Sequence, residues 1–308
     1  MRDETTTHQA QDDPRNETLT LWLDGRLVPK AEAVVSVYDS GFLLGDGVWE
    51  GLRLHRGVWA FLDLHLDRLL EGALALDLDI GMTRGEIAAA LDAVAGANGM
   101  TGDAHARLMV TRGVKVRPFQ HPSLSRSGPT VAIIAEHSRP AVPRPIRLAT
   151  VAQHRAGPMT QDPKLNSHSK LNCVLACIAA QKAGADEALM LDPSGFVNTT
   201  NACNLFFVRR GEVWTSTGDH CMNGITRGHV IDLARGAGMT VRERNFSLVE
   251  AYGSQEAFLT GSFGGLTPVS EVDGRAMPGG PVTGRLAGLY RDLVERHCAG
   301  IAKARSRS

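Results

Sequence analysis

The sequence has 308 residues; Lys plus Arg number 33 and Asp plus Glu number 33, so its formal net charge is zero. That balance argues against a nucleic-acid binder working through a broad basic surface. With 43% hydrophobic and 21% charged residues, the chain can bury a proper core and is not disordered as a whole. No apolar run approaches the length of a membrane span, and residues 1–17 are polar rather than signal-like. Five cysteines without paired spacing suggest reduced thiols, hence a cytoplasmic protein. The 33 glycines are too many for a helical bundle and point to a mixed α/β class with many tight turns.

In chain order, residues 1–17 lack apolar periodicity and read as a flexible tail. LTLWLDGRLVP then reads as strand, Asp24-Gly25 turn, strand. A Gly-punctuated loop at 41–47 precedes a second hairpin that turns at Arg56-Gly57. Helical spacing covers 62–78 and about 84–98, and strands follow near 106–111 and 130–135. Three prolines in 136–145 mark the domain boundary. The expected division is a small N-terminal domain at 18–138, a linker at 139–145, a larger domain at 146–300 and a basic tail at 301–308.

The larger domain opens with a strand at 146–151 and a loop. A helix near 170–182 follows, with Leu171, Val174, Leu175 and Ile178 expected as its buried stripe. Strands EALMLD, FVNTT, NLFFV and EVWTS come next, then a helix from Thr226 to about Gly238. Strands AFLTG and PVSEVD and a helix over about 282–297 complete it.

Three segments carry chemistry beyond packing. NGITRGHVIDLARGAG feeds a helix through Gly224-Ile225-Thr226, whose free N–H groups would suit a phosphate. FLTGSFGGLTPV runs a strand into small residues that expose backbone donors, with a plain Gly-rich turn as the alternative. DPKLNSHSKLNCVLACIAAQKAGADEALMLD places Lys164 before a helix, where an isolated lysine is most often a solvated charge. No histidine or cysteine group has zinc-type spacing, so no metal is expected. Cys173 and Cys177 share a helix face and read as core thiols.

In this order, and with LHLDRL and VNTTNACNLFFV, these segments resemble the class IV, or fold type IV, pyridoxal-phosphate enzymes. That family includes branched-chain and D-amino-acid aminotransferases, (R)-amine transaminases and aminodeoxychorismate lyase. The resemblance runs from about Leu19 to Val294. It implies a two-domain α/β fold with a barrel-like larger domain, pyridoxal phosphate in the cleft, and a homodimer. The implied reaction moves an amino group between an amino acid or amine and a 2-oxo acid. A lyase is the same-class rival; a cofactor-binding protein with little turnover and a scaffold reusing the fold come from other classes.

Position by position, Arg68 matches the arginine that grips the cofactor phosphate. Ile225 and Thr226 match the pair that completes the phosphate cup, and Ser262 matches a further donor, with Phe263 and Gly264 lining the same wall. A dianion needs a fixed guanidinium and oriented N–H groups, which is the physical logic behind the match. Lys164 lies 20 residues before Gly184 and Lys170 lies 14 before it. The family spacing is nearer the first, with Lys164 one or two residues further out, so Lys164 is expected to carry the cofactor. Lys170 is the alternative, held back by its expected place at the helix start. His168 could hydrogen-bond the cofactor's O3′ or be a satisfied loop histidine.

Thr199 is the clearest departure. Members usually place Glu five residues before the Asn of N-[LVI]-F to pair with the pyridine nitrogen, and counting back from Asn204 reaches Thr199. A hydroxyl supplies no counter-charge, so the ring should be a weaker electron sink. Arg117 aligns with a carboxylate-binding arginine of D-amino-acid aminotransferases. Phe119 and Trp49 stand where those enzymes add His and Tyr. Arg53 is a second carboxylate candidate, or a support for the fold.

Overall fold

Strand β1 (Thr20–Leu23) and strand β2 (Arg26–Pro29) are joined by Asp24 and Gly25 at positive φ, 47° and 90°, the conformation a two-residue hairpin requires. The computed structural model describes residues 13–138 and 144–306, which divide into two compact units. Residues 13–138, 165–170 and 294–306 make up the first. After β2 it contains α1 (Ser40–Leu44), β3 (Gly47–His55), β4 (Val58–Trp59), α2 (Leu62–Ala75), α3 (Arg84–Ala97), β5 (Ala104–Thr111) and β6 (Thr130–His137).

Its six strands form one antiparallel sheet in the order β2-β1-β6-β5-β3-β4. Leu52 and Leu54 of β3, Leu66 and Leu69 of α2, and Ile87, Leu91 and Val94 of α3 share one core cluster. Alternation along β3 therefore sends Glu50, Leu52 and Leu54 inward, whereas Trp49, Gly51 and Arg53 lie on the other face and are only half-buried. That alternation decides which β3 residues can meet α2.

The second unit, residues 144–164 and Leu171–Leu293, is built on a larger sheet. Its elements are β7 (Ile146–Thr150), α4 (Leu171–Lys182), β8 (Glu187–Leu191), β9 (Val197–Thr200), β10 (Asn204–Arg209) and β11 (Glu212–Thr215). They continue with α5 (Ile225–Gly236), β12 (Val241–Glu243), α6 (Leu248–Tyr252), β13 (Glu256–Gly261), β14 (Gly265–Val272), β15 (Arg275–Ala276) and α7 (Pro281–Arg305). Strand order runs β12-β11-β10-β13-β14-β7-β8-β9, with β15 beside β14. The sheet closes into a barrel because β9 returns to β10 through the Thr199–Asn204 pair. Leu148, Leu189, Val197, Leu205, Phe207, Leu259 and Val269 belong to one core cluster.

Several expectations are corrected. The large apolar residues of α4 are not its buried stripe: Leu171 is 71% exposed, Val174 49%, Leu175 44% and Ile178 43%. Ala176 and Ala180 face inward instead, clustered with Ala188 and Met190 of β8, because small side chains let the helix lie close to the sheet. Cys177 is exposed and Cys173 half-buried, so neither is a core thiol. The last helix continues to Arg305, so most of the expected basic tail is helical. Residues 1–12 of the expected flexible tail and 139–143 of the expected linker lie outside the described residues, but Pro14–Thr18 form a 3-10 helix that Asn16 ties to the His137 backbone, so this part is not a free tail. Residues 165–170 and 294–306 group with the first unit, which a contiguous boundary does not anticipate.

Candidate active site

On α2, His65 and Arg68 are three residues apart and project from one helix face. Both meet Glu50 of β3, whose side chain is fully buried. Arg68 donates Nε to Oε1 and Nη2 to Oε2, each at 2.7 Å, and His65 Nδ1 lies 2.7 Å from Oε2. An ionised carboxylate only accepts, so Nδ1 carries the hydrogen. Burial pushes the Glu50 carboxyl up, but hydrogen bonds from Arg68 and His65 outweigh it and hold it below the usual range. The fork orients the guanidinium and leaves Nη1 buried with no hydrogen-bond partner among the described residues. A buried cationic N–H without an acceptor is costly, and a phosphate oxygen would satisfy it. Arg68 thus fits the phosphate of pyridoxal phosphate.

The segment 165–170 runs along the free edge of β3, where Ser167 bridges Val48 in an antiparallel sense and His168 N–H donates to Gly47 O at 3.1 Å. Trp49 N–H donates to Asn166 O at 3.0 Å, and Trp49 Nε1 donates to Ser167 O at 3.1 Å. Asn166, itself buried, donates Nδ2 to Trp49 O at 2.6 Å. Lys170 Nζ lies 3.3 Å from Asn166 Oδ1 and 5.6 Å from the Trp49 ring centroid. The Arg107 guanidinium covers the same ring at 4.1 Å. His168 Nε2 lies 3.1 Å from Val48 O, which binds that nitrogen to the strand rather than leaving it for O3′. Burial pushes the His168 imidazole below its usual range. Gly47 is required here: a Cβ would stand 2.3 Å from Val110 O and 2.6 Å from His168 Cδ2.

In the second unit, α5 begins at Ile225 after Gly224, which provides no side-chain cap. Its first intrahelical bond runs from Gly228 N to Gly224 O, so the Ile225 and Thr226 N–H groups point out of the helix end. Thr226 Oγ1 lies 3.2 Å from the Tyr290 hydroxyl. Asn204 fixes the approach to this helix by donating Nδ2 to Met222 O at 2.9 Å. A Cβ at Gly224 would lie 2.4 Å from Asn204 Oδ1, so the close approach demands glycine. Ser262, Phe263 and Gly264 form the half-buried turn between β13 and β14. Just before it, Thr260 Oγ1 is buried without a partner among the described residues.

Thr199 and Thr200 both direct their hydroxyls to the Cys203 carbonyl. A carbonyl only accepts, so the Thr199 hydroxyl hydrogen is already committed and the group can offer only a lone pair. Lys164 lies on an exposed turn, its backbone N–H donating to Asp162 Oδ1. Arg117 and Phe119 are exposed in the loop after β5, with Phe119 N–H donating to Arg117 O. Arg53 lies 3.6 Å from Asp103, which His55 also contacts at 2.8 Å, so it belongs to a charge cluster at the far end of β3.

Sequence reasoning did not single out Glu50, Asn166 or Asn204. Glu50 had a usable signal, since a carboxylate at an inward position of a strand requires a buried cation. The roles of Asn166 and Asn204 depend on tertiary placement and left no local trace. Among the described residues no acidic, histidine and cysteine cluster could hold a metal, and no helix is long and apolar enough to cross a membrane.

Residues 47–272 match the family described as amino-transferase class IV. The chain is 39% identical over 287 residues to branched-chain-amino-acid aminotransferase-like protein 2 of Arabidopsis thaliana, covering 92% of this chain and 51% of that one. It spans about half the length of that relative and of a second Arabidopsis protein of the same kind, 51% and 52%. Among solved structures, a branched-chain aminotransferase from Thermoproteus uzoniensis with norvaline superposes with a TM-score of 0.82 at 32% identity, covering 90% of this chain and 95% of that one. The PLP-form of a branched-chain aminotransferase from Thermobaculum terrenum gives a TM-score of 0.80 at 27% identity, covering 90% and 94%.

Proposed function

From the premise that the chain belongs to the class IV aminotransferases, we propose that it binds pyridoxal phosphate and moves an amino group between an amino acid or amine and a 2-oxo acid. The observation that carries this reading is Arg68, locked by Glu50 with one buried guanidinium nitrogen left unsatisfied. Arg68, the Ile225 and Thr226 N–H groups and Ser262 hold the phosphate. When bound, the cofactor supplies an aldehyde for the amino group and a ring that draws electrons from the substrate carbon. Thr199 faces the ring nitrogen as a neutral acceptor.

Trp49, Phe119, Phe263 and Gly264 line the substrate, with Arg117 as the carboxylate partner and Arg53 a weaker candidate. Replacing Arg117 by Ala should raise KM for carboxylate substrates by the equivalent of about 1.5–3 kcal/mol, the worth of a charge-assisted hydrogen bond. Neutral amines should be much less affected; equal losses on both would make Arg117 structural. Assembly as a homodimer is part of the same proposal.

The deciding experiment is an absorbance spectrum of purified protein with pyridoxal phosphate, followed by half-reactions with D-amino acids, L-amino acids and (R)-amines. Conversion of the bound cofactor to its amine form by any of them supports the transferase. A bound cofactor that no amine converts favours a binding protein with little turnover, the reading that the uncharged Thr199 keeps open.

A further inference from the structure

We infer that Lys170, held by Asn166, is the amine that bonds to the cofactor aldehyde, and that Lys164 is a solvated surface charge. The inference rests on the proposal that pyridoxal phosphate binds, and it names the residue that carries it. The sequence alone puts Lys170 at an expected helix start. Helix α4 begins at Leu171, so Lys170 belongs to the irregular segment before it and its side chain is not tied to a helical face.

The segment folds so that Lys170 returns to residue 166. Family spacing puts the cofactor lysine one or two residues after Lys164, at position 165 or 166, where this chain has Leu and Asn. Lys170 Nζ sits 3.3 Å from the side-chain oxygen of Asn166, bringing an amine back to that place from four residues further on. The contact is built rather than incidental. Asn166 is 5% exposed, and its Nδ2 is fixed by the Trp49 carbonyl, which can only accept. That orientation leaves Oδ1 to receive an N–H from the lysine. Trp49 in turn is bound to the backbone of Asn166 and Ser167, so amide, indole and amine form one positioned set.

Lys164 is outside this set. It is exposed, and its backbone N–H serves the turn through Asp162. A lysine that must hold a nucleophilic nitrogen at a fixed carbon needs the supported position.

In the step itself the ammonium first gives one proton to solvent, and the neutral nitrogen attacks the aldehyde carbon. The carbonyl oxygen leaves as water with the two remaining nitrogen protons, and a carbon–nitrogen double bond replaces carbon–oxygen. Asn166 is a positioning residue, steadying the nitrogen through Oδ1.

The test uses the full wild-type chain loaded with pyridoxal phosphate, reduced with borohydride, digested and mapped by mass spectrometry. The expected result is a phosphopyridoxyl group on Lys170. A label on Lys164 or any other lysine overturns the inference and leaves the aminotransferase proposal standing. No label, together with no cofactor absorbance, overturns both. A second measurement reads Asn166 directly through the pH midpoint of the cofactor absorbance change. Asn166→Asp places a negative charge beside the bonded nitrogen and should raise that midpoint by about 1–3 pH units. An unmoved midpoint would remove Asn166 from the set.

Discussion

The grip between β3 and α2 and the turn between β9 and β10 handle polar groups in opposite ways. In the first, a fully buried carboxylate takes three short bonds from a guanidinium and an imidazole, and one guanidinium nitrogen remains to be satisfied. In the second, two threonine hydroxyls converge on one carbonyl, and neither Thr199 nor Thr200 brings a charge. One region keeps charge under strict geometric control; the other is neutral, with its hydroxyl hydrogens already committed. The difference teaches that holding a phosphate and drawing electrons through a ring nitrogen are separable tasks. On the proposed reading, this chain has the apparatus for the first and brings no charge to the second.

Breaking the charged side should produce the largest effect. Glu50→Ala leaves Arg68 and His65 without their shared acceptor in a buried site, and removing one partner of such a pair costs about 3–5 kcal/mol. Chemical denaturation should show that loss, and a change below 1 kcal/mol would mean that Arg68 finds another acceptor. The wild type should show an acid signature of the same group. Its folded carboxyl sits below the ordinary glutamate value, so the stability it provides is complete above the unfolded value, near 4.5. That contribution is lost as pH falls from there through the folded value, and Glu50→Gln should flatten the loss.

The next effect separates the geometry of the grip from its charge. Arg68→Lys keeps a cation beside Glu50 but removes the fork and the free Nη1. Cofactor titration should show affinity weakened by about 1.5–3 kcal/mol, roughly ten- to a hundredfold. Unchanged affinity would show that the phosphate does not meet this residue.

The same contrast explains what could be read in advance. Both hairpin turns, the helices α2 and α3 and the strands of the barrel were legible because turn residues and apolar periodicity are local signals. The stripe on α4 was misread for a physical reason: periodicity locates an apolar face but not which face meets the sheet, and Ala176 and Ala180 won by allowing close approach. The start of α5 was legible through a short motif. The contact between Lys170 and Asn166 was not, since it depends on how 165–170 lies along β3. The Glu50 fork, too, depended on pairing a strand with a helix that no spacing rule connects.

The neutral side gives the smallest and most discriminating effect. Thr199 offers only a lone pair, its hydrogen being committed to the Cys203 carbonyl, so it can accept from a protonated ring nitrogen but cannot donate to an unprotonated one. A single neutral acceptor should favour the protonated ring by about 1 kcal/mol, somewhat under one pKa unit. Thr199→Val should therefore lower the pH at which the ring nitrogen titrates by that amount, and Thr199→Ser should leave it in place. Nitrogen-15 shifts of labelled cofactor across a pH series report this without reference to turnover. The fold should tolerate the change, because the Cys203 carbonyl still accepts from Thr200 N at 2.9 Å and Thr200 Oγ1 at 3.1 Å. If the titration is the same in wild type and Thr199→Val, Thr199 does not face the ring, and the contrast between the two regions ends at the phosphate. If it falls by several units, another group acts through Thr199, and the neutral turn belongs to a longer chain of hydrogen bonds.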